Sequence, residues 1–130
     1  MKLAATIARY ILGFMFTVFG LNGFLHFIPQ PPPGSPLALE YMTVLSTSHY
    51  FVVVFLIQLT AGLLLLANRF VPLAVALLAP ILVNILMFHG LMDPGGIAPG
   101  VVATILWSII FLRVRPAFDG IFQAASPVAD

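Results

Sequence analysis

The chain of 130 residues contains no cysteine and very little charge. Without cysteine it can form no disulfide, no thiolate metal site and no thiol nucleophile. Charged residues make up 7% of the sequence, whereas soluble domains have about 25%, so a soluble fold could not cover its core. The few basic residues form no continuous patch, and nucleic acid is therefore not expected as a partner. The sequence also lacks a phosphate-cradling glycine loop with lysine and a Gly-x-Ser-x-Gly nucleophile turn.

What the chain has instead is apolar sequence in long runs. Hydrophobic residues make up 62% of it, and a helix of about 20 apolar residues crosses the hydrocarbon core of a bilayer. We therefore predict an all-α fold, a polytopic four-helix membrane bundle formed as one domain over residues 1–115. Residues 116–130 would form a cytoplasmic tail, and we expect its last residues to be disordered. The predicted spans are residues 4–28, 50–67, 71–91 and 97–112.

The charges are divided between the two ends of these spans. One end would hold Glu40, Asp93 and all three histidines. Basic residues mark the cytoplasmic side of a membrane protein by the positive-inside rule. The distribution thus predicts a multi-pass protein of a bacterial-type inner membrane with both ends of the chain in the cytoplasm. The other end would hold all five basic residues, Lys2, Arg9, Arg69, Arg113 and Arg115.

The connections carry helix signals. Ser35 followed by Pro36 is typical of a helix start. The next residues are apolar at positions 37, 41, 44 and 45, which predicts a short amphipathic helix on the outer surface between the first two spans. Asn68 is suited to a left-handed helix end and Pro72 to the start of the next helix, so the second and third spans should form a tight hairpin.

Three further features concern packing inside the spans. Gly13 and Gly20 lie two helical turns apart, which predicts a face where two helix backbones approach closely. Pro80 removes a backbone hydrogen bond and should bend the third span. Trp107 lies in the middle of the fourth span, where its indole should pack inside the bundle and its N–H should find an acceptor.

Polar residues in hydrocarbon are costly and usually have a purpose. Several could line one polar pocket open to the outer side and hold a small polar head group, such as a quinone ring, or relay protons. Alternatively, the amides hydrogen-bond between helices and the histidines lie in the wet interface. No closely spaced ligand motif occurs, so no metal site is predicted. The residues in question are Asn22, His26, Glu40, His49, Gln58, Asn84, His89 and Asp93.

Three stretches resemble the DoxX-like family of small four-helix membrane proteins. They are residues 19–24 (FGLNGF), 58–70 (QLTAGLLLLANRF) and 78–89 (LAPILVNILMFH) followed by Asp93-Pro94. The resemblance extends over about residues 9–113 and implies a four-helix bundle. Its members are associated with thiosulfate:quinone oxidoreductase subunits, with oxidative-stress complexes and with assembly or cargo handling. One departure is Gln58, where the family pattern has glutamate. A neutral amide there weakens any acid–base role.

Two functional hypotheses follow. In the first, the chain is an accessory or quinone-contacting subunit of a membrane oxidoreductase. The head group would then contact Asn22, His26, Gln58, Asn84 and His89, and His89 or Asp93 would pass protons. In the second, it is a non-catalytic scaffold or assembly factor that uses the glycine face and the outer helix to hold partners. A transporter or channel is the weakest alternative, because no charge lies deep in a span. The bilayer and a membrane protein partner are expected, and a homo-oligomer remains open.

Overall fold

The computed structural model describes residues 1–125, and these form helices and connections without any strand. This confirms the predicted all-α class. The expected disorder of the last residues concerns a segment of which residues 126–130 lie outside the described part of the chain. The helices are α1 (Lys2–Leu25), α2 (Pro36–Thr47), α3 (Tyr50–Ala67), α4 (Val71–Leu91) and α5 (Ile97–Val114), with short 3-10 turns at Pro94–Gly96 and Arg115–Phe118.

Four helices, α1, α3, α4 and α5, are long and apolar enough to cross a membrane, the last together with its flanking turns. They form a ring in which α1 and α4 each contact both α3 and α5. Many large apolar side chains, such as Phe14, Val53 and Ile105, lie exposed on the outside of this ring. Apolar surface of this kind requires lipid rather than water. The chain is therefore a multi-pass membrane protein with a helical-bundle fold.

Successive long helices run in opposite directions, so the bundle has two distinct ends. The basic end contains the start of α1, the turn between α3 and α4, and the end of α5, and it carries all five Lys and Arg residues. The histidine end contains the other helix termini and α2, and it carries His26, His49 and His89. These two names are used below.

Glycines bring α1 and α3 into very close contact. A Cβ added to Gly13 would lie 3.1 Å from the carbonyl oxygen of Gly62, and one added to Gly20 would lie 2.8 Å from the backbone nitrogen of Leu59. The predicted packing face is confirmed, and Gly62 of α3 completes it from the other side. Because α3 covers this face, it is not free to hold a partner protein as the scaffold hypothesis required.

The core lies inside the ring and is formed by small and branched apolar side chains from all four long helices. Trp107 packs against this core, and its indole Nε1 donates a 2.8 Å hydrogen bond to the carbonyl of Val75. That contact confirms the expected partner for the indole and links α5 to α4. Fully buried members of the core include Leu12, Ala61, Leu65, Ala74 and Leu78.

Most helix ends lie where the sequence predicts. The Ser35 hydroxyl accepts a hydrogen bond from the backbone nitrogen of Ala38 at 3.1 Å, and Asn68 ends α3 with a left-handed φ of 53°. The first helix, however, ends at Leu25 rather than residue 28. The cause is local: His26 takes a left-handed φ of 51°, and the Asn22 amide accepts from the Ile28 nitrogen at 2.7 Å and donates to the Ile28 carbonyl at 3.3 Å.

The orientation of α2 differs from the amphipathic pattern. The sequence pointed to positions 37, 41, 44 and 45 as the apolar face, but Leu37 is 57% exposed and Val44 is 59% exposed. The face turned toward the bundle contains the fully buried Ala38 together with the half-buried Tyr41, Met42 and Leu45. Two of the four predicted apolar positions, 41 and 45, therefore lie on this face, and two lie outside it.

Candidate functional site

A cavity of about 450 Å³ opens inside the bundle toward the histidine end. This volume is within the roughly 300–1,000 Å³ typical of small-molecule sites. All five helices contribute to its wall, and the proline-rich connection between α1 and α2 lies across its opening. Most of the lining is aromatic, thioether or aliphatic. The residues are Met15, Phe16, Phe19, Gln30, Pro31, Pro33, Met42, Gln58, Ile85, Phe88, His89, Asp93, Gly96, Pro99, Gly100 and Ala103.

Gln58 is the polar side chain on the inner wall of this cavity. It lies at the middle of α3 and is only 8% exposed. Within residues 1–125 its amide makes no side-chain hydrogen bond, and the enclosed side-chain oxygen that lacks a partner is Thr17 Oγ1 instead, so the Gln58 amide is open to the cavity that it lines. Its amide group is therefore positioned to donate to, or accept from, a polar atom of a molecule in the cavity.

His89 and Asp93 lie at the end of α4, where the cavity approaches the surface. The His89 ring nitrogen Nδ1 lies 3.0 Å from the backbone carbonyl of Asp93. A carbonyl can only accept, so Nδ1 must carry the proton and donate it. In the neutral ring Nε2 is then an acceptor, and it has no partner within the described residues. Gly96 makes room for the ring, because a Cβ there would lie 2.5 Å from His89 Cε1.

The opening of the cavity is covered by a tethered connection. The Ser35 hydroxyl donates to the Met92 carbonyl at 2.6 Å, and the Gly34 nitrogen donates to Asp93 Oδ1 at 3.3 Å. The Tyr41 ring stacks on the Phe88 ring with 5.5 Å between centroids. These contacts hold the start of α2 and the proline-rich connection against the end of α4.

The other predicted site residues lie outside this cavity. Asn22 is buried, but its amide nitrogen and oxygen both hydrogen-bond to the backbone of Ile28. His26 ends α1 and is exposed. Asn84 is exposed on the outside of α4 and donates to the Pro80 carbonyl within its own helix at 2.8 Å. The structure therefore brings Gln58, His89 and Asp93 together and separates them from Asn22, His26 and Asn84.

Two further members of the predicted polar set are also outside the cavity. His49 begins α3 with a left-handed φ of 63°, and its Nδ1 donates to the Thr47 carbonyl at 3.1 Å. Glu40 is exposed on α2. Both are surface groups of the histidine end, consistent with the alternative in which such residues lie in the wet interface.

Sequence reasoning missed the apolar walls of the cavity. Phe16 and Phe19 extend from α1, and Phe88 extends from α4 next to His89, with ring centroids 4.9 Å apart. Phe16 and Phe19 are three residues apart, and so are Ile85 and Phe88, so each pair shares a helix face. That spacing is the only signal in the sequence, and it does not separate a cavity wall from an ordinary core.

The polar groups of this arrangement can hydrogen-bond to a small molecule. Within residues 1–125 no group of three His, Asp or Glu is close enough to hold a metal ion. The cavity offers one buried amide, one imidazole and aromatic walls, which suit a flat molecule with hydrogen-bonding atoms.

No protein-family model matches the chain, and neither a curated protein nor a solved structure shows significant similarity to it.

Proposed function

We propose that the chain binds the ring of a quinone or quinol in the cavity at the histidine end, as an accessory subunit of a membrane oxidoreductase. The observation that supports this most is Gln58, whose amide lies on the cavity wall in the membrane-spanning part of the bundle and makes no side-chain hydrogen bond within residues 1–125. A quinone carbonyl can accept from its Nε2, and a quinol hydroxyl can donate to its Oε1.

The walls favour the same class of ligand. Phe16, Phe19 and Phe88 provide flat apolar surface, while Met15 and Met42 can adapt to a ring of variable substitution. Near the surface, His89 can accept a proton from a quinol hydroxyl or, when protonated, donate to a quinone carbonyl. Asp93 beside it provides an exchange route to solvent.

The resemblance to DoxX-like proteins is part of this proposal and supplies its oxidoreductase context. Interconversion of quinone and quinol moves two electrons and two protons, and in this proposal the electrons come from the redox partner of which the chain is an accessory subunit. The excess of Lys and Arg at the basic end supports placing that end in the cytoplasm of a bacterial-type inner membrane. The proposed ligand site then opens toward the outer face.

The proposal is tested by titrating the purified full chain in mild detergent with a short-tailed benzoquinone and following heat release. Gln58→Leu should weaken binding about tenfold, because a ring oxygen loses its only buried partner. Asn84→Leu is the matched control, since it removes an amide of α4 that faces away from the cavity, and it should change binding less than about twofold. Equal affinity of the Gln58→Leu variant and the unmodified chain would contradict the assignment of this residue.

A scaffold or assembly factor remains the second candidate, favoured by one observation. The outer face of α2 exposes Leu37, Leu39 and Val44, each more than half accessible, at the level of the membrane surface. This function would be favoured over the first if the purified chain retained a protein partner but no quinone. The partner should then be lost in Leu39→Ser and kept in Gln58→Leu.

A further inference from the structure

A second cavity, of about 460 Å³, lies at the basic end of the bundle. It lies between the start of α1, the turn that joins α3 to α4, and the end of α5. Three of the five basic residues of the chain line it, namely Lys2, Arg9 and Arg113. Thr6 and Asn68 add neutral hydrogen-bonding groups to the same wall. None of the lining residues is acidic, so this concentration of positive charge is not neutralised within the cavity.

Arg9 is the fixed element of this cluster. It is only 9% exposed, and its Nη1 donates to the carbonyl of Leu65 and, at 3.4 Å, to that of Leu66. These are carbonyls of the last turn of α3, which favours a cation there. The bonds to Leu65 and Leu66 use a single nitrogen, whereas a guanidinium has five N–H donors. The remaining donors of a buried, pre-positioned cation are available to an anion.

Lys2 and Arg113 are the mobile elements. Both are exposed, on the first turn of α1 and the last turn of α5. Their long side chains can close over a group held by Arg9 without a change in the backbone. The depth of the cavity also matters, because it lies where the apolar spans end and lipid head groups begin. Basic pockets between membrane helices at this level are suited to phosphate groups.

We propose that the cavity at the basic end binds a phosphate group, held by Arg9 and closed by Lys2 and Arg113. The same chemistry is offered by the head group of an anionic phospholipid and by soluble inorganic phosphate. This proposal is independent of the ligand of the histidine end. It assigns the buried Arg9 a role beyond marking the orientation of the chain in the membrane.

The test uses native mass spectrometry of the full chain with phosphatidylglycerol or phosphatidylcholine of matched acyl chains. The unmodified chain should retain phosphatidylglycerol preferentially. Arg113→Gln should lower that retention about fivefold, the effect of one basic residue near a phosphate at a membrane surface. Lys2→Gln should act in the same direction. Arg115→Gln is the matched control, because Arg115 has the same charge and lies on the same end but outside the cavity.

A parallel thermal-unfolding series with inorganic phosphate and no added lipid identifies the source of the group. One outcome is that phosphate raises the unfolding temperature of the unmodified chain and not that of Arg113→Gln, while neither lipid is preferred. That result would support the site and assign it to soluble phosphate. Equal retention of both lipids together with no effect of phosphate would overturn the proposal. Equal losses in Arg113→Gln and Arg115→Gln would also overturn it, because they would show attraction to the charged surface rather than binding in the cavity.

Discussion

The two ends of the bundle contain cavities of almost equal volume, about 450 Å³ and 460 Å³, with very different linings. The cavity of the histidine end is mainly aromatic and aliphatic around one buried amide. That of the basic end contains three cations and no acid. Cavity volume alone therefore does not indicate which class of ligand a cavity can bind. The lining of the first cavity is suited to a flat molecule with a hydrogen-bonding atom, whereas the lining of the second is suited to an anion.

The same helix contributes to both cavities in different ways. Near its start, α1 places Arg9 in the basic cavity, and further along it places Phe16 and Phe19 in the other. Gly13, between Arg9 and Phe16, and Gly20, next to Phe19, hold the α1 backbone against α3. The difference between the ends is thus built on a shared framework, and variants can be chosen to affect the framework, one end, or the other.

The largest effect is expected from Gly20→Leu, which should disrupt both ends at once. A Cβ at Gly20 would lie 2.8 Å from the backbone nitrogen of Leu59, and backbone cannot rotate away as a side chain can. We expect destabilisation of about 3 kcal/mol or more, at the upper range of overpacking. The measurement is the yield of monodisperse protein and its thermal unfolding in detergent.

Gly90→Leu is the control for that variant, since no atom lies within 4 Å of a Cβ added at Gly90 near the end of α4. It should leave folding and both binding activities nearly unchanged. If Gly20→Leu proved as stable as Gly90→Leu, the close approach of α1 and α3 would be incorrect.

A smaller effect, confined to the basic end, is expected from Arg9→Gln. It removes a charged donor from the last carbonyls of α3. We expect the free energy of unfolding to fall by about 2 kcal/mol, the value of a hydrogen bond to a charged group. Arg69→Gln removes an exposed charge from the neighbouring turn and should cost little. Thermal unfolding of the two variants side by side measures the difference. Similar stabilities would show that the buried position of Arg9 does not support the fold.

The smallest effect, confined to the histidine end, is expected from His89→Phe. The substitution keeps an aromatic ring but removes the acceptor at Nε2, which should weaken quinol binding about fivefold, the value of one neutral hydrogen bond. Retention of phosphatidylglycerol at the basic end should be unchanged. Calorimetric titration measures the affinity for quinol, and native mass spectrometry of the same sample measures the retained phosphatidylglycerol. A parallel loss of both would mean that the two ends are not independent.

The helix order could be predicted because it depends on local signals. Long apolar runs fix the spans, Ser35 and Asn68 fix two helix ends, and Trp107 needs a partner wherever it is buried. The residues of the cavity could not be predicted, because they depend on the rotation of each helix. Gln58 and Asn84 are both amides within apolar runs, yet Gln58 faces the cavity and Asn84 faces outward.

Two other differences have the same origin. Asn22 looked like a pocket residue from its position, but the chain folds back after α1 and Ile28 takes both of its hydrogen bonds. Arg9 counted among the charges that orient the chain, and its burial against the end of α3 follows from the antiparallel packing of α1 and α3. In both cases a tertiary contact determined the role of a residue whose type had been recognised correctly.

The central claim is that Gln58 holds a quinone ring in the cavity of the histidine end. Native mass spectrometry of the chain extracted from its own membrane tests it most directly. We expect a quinone-sized mass on the unmodified chain and on Asn84→Leu, and its loss from Gln58→Leu. A folded chain that carries no such mass, or a Gln58→Leu variant that carries as much as the unmodified chain, would contradict it.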